Sequence, residues 1–150
     1  MGQKTSKGKV LSVNVSDRKG EKKHGVDRCM LVEGFGLTGD AHGGFQHRQV
    51  SLLARESIDK IKAHGIDVNF GDFAENLTTE GVELFTLPIG TKIRVGGHVL
   101  LRVTQIGKTC HDRCAIFRQV GDCVMPREGI FAEVLTGGEV LVGDTIDVLI

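Results

Sequence analysis

Short runs of β-branched and other apolar residues, alternating with polar ones and bounded by Gly or Asp, recur along most of this chain, and they constrain its fold more than any other feature. Side chains alternate across a strand, so in Val99-Leu100-Leu101-Arg102-Val103-Thr104 residues 99, 101 and 103 share one face. Lys9–Val15, Arg28–Val32, Lys92–Val95, Gly129–Leu135 and Thr145–Ile150 read the same way. With 21 Gly and only 2 Pro, the chain is well supplied with turn residues that leave strand hydrogen bonding intact. Gly96-Gly97 and Gly137-Gly138 each separate two such runs and predict hairpins with antiparallel neighbours. An internal echo, Ile89–Val95 against Val142–Val148, fits a repetitive sheet but is too short to establish duplication.

One stretch has helical rather than strand period. Across Ser51–His64 the residues Ala54, Ile58 and Ile61 fall on one face, Glu56 and Lys60 are spaced as an i,i+4 pair, and Gly65 can end the last turn. A second helical turn is predicted at Ala115–Val120. Strands surrounding one helix make a mostly β fold, a compact closed or partly closed β-barrel, the economical solution, because closure removes exposed edges. At 150 residues the chain fits one domain spanning 1–150, with about 1–7 as a flexible tail.

Lys plus Arg equal Asp plus Glu at 19 each, so no global positive field drives nucleic-acid binding, and any anion site must be local. The first residues lack the apolar core of a signal peptide, and no apolar run is long enough to cross a bilayer. Four cysteines are too few for a disulfide framework. The expectation is a cytoplasmic protein with free thiols and no membrane or nucleic-acid partner.

Chemistry concentrates between Cys110 and Ala132, CHDRCAIFRQVGDCVMPREGIFA, which holds three of the cysteines. A thiolate is a nucleophile and a soft-metal ligand, and neighbouring cations favour it over the thiol. Cys123 sits in an irregular segment with one Pro and flanking Glys, where Arg118 and Arg127 would lower its pKa while Asp122 and Glu128 oppose them. Spacing alone leaves open a buried, inert Cys123. It also leaves open a structural zinc site built from Cys110, His111, Cys114 and Cys123, although a second close pair of ligands is missing. The Gly-rich segment containing Asp40, His42, His47 and Arg48 could wrap an anion with backbone N–H groups, or be a solvated connection. Arg18, Lys19, Lys22, Lys23 and His24 form a basic run, read as a solvated loop. Cys29 is read as core, and Glu75 and Asn76 as residues that tie down a turn.

Taken with this window, GDAH at Gly39–His42, RQVSLL at Arg48–Leu53, GDFAENLTT at Gly71–Thr79, LPIGT at Leu87–Thr91 and GGEVLVGD at Gly137–Asp144 resemble the small stand-alone MOSC domains, named for the C-terminal domain of molybdenum cofactor sulfurase. The resemblance runs from about Gly8 to the end of the chain. It implies a compact β-barrel that handles sulfur and the molybdenum cofactor (molybdopterin). Cys123 matches the family's reactive or metal-binding cysteine, either accepting sulfane sulfur as a persulfide or ligating molybdenum. Asp40, His42, Arg48, Arg113, Arg118 and Arg127 would hold the anionic donor or pterin phosphate, with Cys110 and Cys114 as auxiliary thiols. Larger relatives often carry Gly-Asp-Arg where this chain has Gly39-Asp40-Ala41-His42, so an arginine contact is lost there or replaced by His42 or Arg48. No desulfurase domain or pyridoxal-phosphate lysine motif is present, so no bound pyridoxal phosphate is expected. The resemblance implies a cysteine desulfurase as sulfur donor and a molybdenum enzyme or cofactor-biosynthesis protein as acceptor. A module that binds molybdopterin without sulfur transfer is the alternative.

Overall fold

The computed structural model describes residues 7–15, 24–38, 49–63, 65, 67–73, 75–107 and 128–149. Seven strands close into a barrel. They are β1 (Lys7–Val15), β5 (Val50–Ala54), β6 (Leu77–Glu80), β7 (Lys92–Val95), β8 (Val99–Ile106), β9 (Ile130–Thr136) and β11 (Thr145–Leu149). Their order is β11-β7-β8-β9-β5-β6-β1, and the ring closes where β1 pairs with β11, Lys7 opposite Asp147. Lys7, assigned to the tail from sequence, is therefore a strand residue. A short strand, β2 (His24–Val26), adds to β1, while β10 (Gly138–Leu141), β3 (Arg28–Val32) and β4 (Gly36–Leu37) form a second, small sheet.

The alternation noted in the sequence is the alternation of burial. On β7 and β11 the residues Ile93, Val95, Ile146 and Val148 point into the barrel, and on β8 Val99, Leu101 and Val103 do so. The Gly96-Gly97 hairpin forms as expected, with Gly96 at φ +65°, and β7 and β8 are antiparallel. Gly137-Gly138 does something else. It carries the chain from β9 into the second sheet, where β10 pairs with β3 rather than with β9. A Cβ on Gly137 would lie 2.6 Å from the Leu31 carbonyl oxygen, so the glycine serves a close crossing of backbones, not a hairpin.

The helix α1 spans Arg55–Lys62, and Ser51–Ala54, expected to open it, belong to strand β5 (Val50–Ala54) instead. All five β5 residues are buried and the strand is paired on both sides, parallel to β6 and antiparallel to β9, so sheet hydrogen bonds on both edges override the helical period. Of the predicted apolar face, Ile58 and Ile61 are buried against Leu53, Val68, Phe73 and Phe131, a second core outside the barrel, whereas Ala54 ends β5 and packs in the barrel core. Gly65 ends the helix at φ +82°, its N–H bonded to the Lys62 carbonyl. The i,i+4 ion pair is Arg55–Asp59 at 2.8 Å, not the expected Glu56–Lys60.

The short sequence echo is the visible part of a pseudo-twofold. In sequence, residues 75–95 align with 128–148 without a gap, matching Glu75 with Glu128, Glu80 with Glu133, Gly90 with Gly143, Ile93 with Ile146 and Val95 with Val148. In the barrel β7 and β11 are neighbours, with Arg94 opposite Asp147 at the centre of the exchange. The Gly90 N–H donates to the Val103 carbonyl at 2.7 Å and the Gly143 N–H to the Val10 carbonyl at 2.7 Å. Bulges fall at Val103/Gln105 and Val10/Ser12, making β1 the counterpart of β8 and β6 that of β9. Strand β5 lies on the axis, which explains why it is parallel to one flanking strand and antiparallel to the other. The N-terminal strand β1 takes the place beside β11 that β8 takes beside β7.

Candidate functional site

The cysteine window is carried between β8 and β9. Cys110, His111, Arg113, Cys114, Arg118, Cys123 and Arg127 lie outside the described residues, as does the helical turn predicted at 115–120, but both ends of the segment are well placed. The Gly107 N–H donates to the Gly129 carbonyl at 2.6 Å, so segment 108–127 leaves and re-enters the barrel at a single point on one rim. The Gln105 side-chain amide donates to the Gly107 carbonyl at 2.8 Å and fixes the exit.

Glu128 fixes the return. Its carboxylate, largely buried, accepts the Ser57 hydroxyl at 2.6 Å and the Lys60 ammonium at 2.7 and 2.9 Å, strapping the re-entry point to α1. Lys60 also stands 5.3 Å from the centre of the Phe85 ring, a cation–π contact. These groups and Ala54, Val82 and Glu83 line a cleft of about 250 Å³ beside the window's root. From sequence Glu128 appeared only as a charge opposing the thiolate; its anchoring role depends on Ser57 and Lys60, 71 and 68 residues away. The spacing carried no sign of it.

The Gly-rich segment 39–48 holds Asp40, His42, His47 and Arg48, which also lie outside the described residues, together with the basic run from Arg18 to Lys23. Its described flanks are Thr38 and Gln49. The Gln49 side-chain oxygen accepts the Val134 N–H at 2.9 Å, whereas the cysteine window joins β9 just before Ile130. Four residues of strand separate the two attachment points, roughly 13 Å at the usual rise. Both segments are thus planted along β9. Cys29, expected in the core, is partly buried against it, with its thiol donating to the Thr38 carbonyl at 3.2 Å.

At the pseudo-equivalent of the window's root, the bond between Asn14 N–H and the Asn76 carbonyl at 2.7 Å replaces the Gly107–Gly129 bond. Here the rim is closed by a buried polar network. Asn76 Oδ1 accepts the Ser51 N–H at 2.9 Å and its hydroxyl at 3.1 Å, and Asn14 Nδ2 donates to Thr78 Oγ1 at 3.0 Å. Glu75, with no exposed surface, accepts the Thr78 hydroxyl at 2.7 Å and the Phe73 N–H at 3.3 Å. Burial pushes its carboxyl above the ordinary range; the hydrogen bonds, including one from Gly71, only partly oppose this. Glu75 and Asn76 tie down a turn, as expected from sequence, and the pseudo-twofold that relates the two rim bonds matches Glu75 with Glu128.

Among the described residues no three His, Cys, Asp or Glu side chains converge to hold a metal ion. No described helix is long and apolar enough to cross a membrane.

A closed barrel bearing a cysteine-containing segment rooted at one rim defines the class of protein. The model of the MOSC domain matches residues 38–147, and the chain belongs to that family. Among solved structures it is similar to the YuaD protein from Bacillus subtilis, at 20% identity over 97% of each chain with a TM-score of 0.81. YiiM from Geobacillus stearothermophilus aligns at 18% identity over 95% of this chain and 75% of its own, TM-score 0.69. YiiM from Escherichia coli aligns at 20% identity over 99% and 71%, TM-score 0.64. These likenesses are of fold. No curated protein gives a significant sequence match.

Proposed function

We propose that this MOSC domain is a sulfur carrier or molybdenum-cofactor-binding protein in which Cys123 is the working residue. The observation that best supports this is the rooting of segment 108–127: its two ends meet at the Gly107–Gly129 bond and the return is strapped to α1 through Glu128. A loop tethered at one point to a rigid barrel is where a reactive side chain can be both exposed and held in place.

As a carrier, the Cys123 thiolate would attack the outer sulfur of a desulfurase persulfide. The donor's S–S bond breaks, its cysteine departs as thiolate, and a new S–S bond forms on Cys123 with no net redox change. Arg113, Arg118 and Arg127 are the residues that would hold the anionic donor or pterin phosphate, with Asp40, His42 and Arg48 as further cofactor-binding residues. Molybdenum in the bound cofactor, ligated by Cys123, would supply oxygen- or sulfur-atom chemistry.

Incubation with a cysteine desulfurase and free cysteine, followed by intact-mass spectrometry, tests the reading. The wild-type chain should gain one sulfur and Cys123→Ala should gain none. Equal labelling of both would overturn the carrier role of Cys123; pterin fluorescence that co-purifies and survives Cys123→Ser would indicate binding without transfer.

A further inference from the structure

Charge is balanced over the whole chain but not over the barrel wall. The outward faces of β1, β11, β7 and β8, four adjacent strands, carry Lys7, Lys9, Lys92, Arg94 and Arg102 against one carboxylate, Asp147. All five cations are exposed, because the alternate residues of these strands fill the barrel. Lys7 faces Asp147 at 3.9 Å and Arg102 pairs with Glu133 on β9; Lys9, Lys92 and Arg94 make no ion pair among the described residues.

Two further features set this wall apart from an ordinary solvated face. Lys92 stands directly opposite Arg102 in the β7–β8 register, a destabilising like-charge pair in which Glu133 neutralises Arg102 but no described carboxylate pairs with Lys92. The cations are also bordered by carboxylates on both sides, Glu80 next to Lys9 on β6 and Glu133 next to Arg102 on β9, positions exchanged by the pseudo-twofold. A long polyanion or an anionic bilayer laid on the wall would run over these carboxylates. A counter-charge no wider than four strands would not.

We propose that this wall is a docking surface for a compact acidic patch on a partner protein. Complementary patches of this kind act mainly on encounter rate and orientation and are weakened by salt. Arg102 lies midway along β8, the strand that leads into segment 108–127, and Lys92 pairs opposite it, so a partner seated there shares a strand with the root of that segment.

The test uses the full chain and a labelled helical peptide bearing glutamates along one face, with duplex DNA and phosphatidylserine vesicles as the other arms. Wild type should bind the peptide at about 50 mM salt, with affinity falling roughly tenfold by about 300 mM as screening tightens. Lys92→Glu alone should lose severalfold and Lys92→Glu/Arg94→Glu about tenfold at low salt, whereas Lys62→Glu, a single charge reversal on α1 matched to Lys92→Glu, should stay within about twofold. The proposal is overturned if wild type does not bind, if Lys62→Glu matters as much as the wall variant, or if DNA or vesicles bind more tightly with the same dependence on Lys92 and Arg94.

Discussion

Asn14 and Asn76 clasp each other twice. The Asn14 backbone N–H donates to the Asn76 carbonyl at 2.7 Å, and the Asn76 side-chain amide donates back to the Asn14 carbonyl at 3.2 Å. Both residues are buried, and Asn76 also satisfies the N–H and hydroxyl of Ser51. Asn76→Ala would remove the side-chain bonds to Ser51 and to the Asn14 carbonyl, at about 1–3 kcal/mol for each buried group that stays unsatisfied. A loss of about 3 kcal/mol in unfolding free energy is expected, read from the shift in urea midpoint at constant slope.

Glu75 introduces a pH dependence whose sign is opposite to that of a salt-bridged carboxylate. Burial raises its folded pKa above the ordinary 4.5, so between the two values the folded state holds the extra proton. Stability is then fully present below the unfolded pKa and is lost as pH rises through the folded one. In Glu75→Gln, where the Thr78 hydroxyl can turn to accept from the amide, this fall should vanish. Unfolding free energies measured from pH 4 upward check it; an unchanged slope in the variant would mean that Glu75 is not the group responsible.

Thr79 carries a hydroxyl buried without a hydrogen-bond partner, and it shares the interior face of β6 with Leu77. Its pseudo-twofold counterpart is Ala132, which has no polar atom to satisfy. Thr79→Val keeps the shape and removes the orphan, for a gain of about 1 kcal/mol. Denaturant unfolding should show a higher midpoint.

Gly137→Ala places a methyl group 2.6 Å from the Leu31 carbonyl oxygen, and the second sheet must shift to accept it. Overpacking of this kind costs roughly 1–3 kcal/mol. Gly97→Ala, at a position with nothing within 4 Å of the added atom, is the control and should change the melting temperature little.

The strands were legible because one side of each is buried. β3 and β7 occupy the expected residues, since the period of two in their side chains is also the period of contact with the core. Non-local reasons were not legible. Nothing near Gly137 in sequence announces that Leu31 approaches it, and nothing in the helical spacing of Ser51–Ala54 announces strands on both flanks. The barrel and the family could be read from the chain, as could the role of Glu75 and Asn76. The anchoring of the cysteine segment through Glu128 could not, because its partners come from a distant helix.

The order of the strands around the barrel bears on how the ring closes. Its last seam joins Lys7–Lys9 to Thr145–Asp147, so the first strand has no partner along that edge until residue 147 can reach it. Pairings between such remote segments carry a large loop-closure cost and slow the search for the native state. During synthesis the nascent barrel must remain an open sheet until its final strand emerges, and that exposed margin is where chaperone protection would count most.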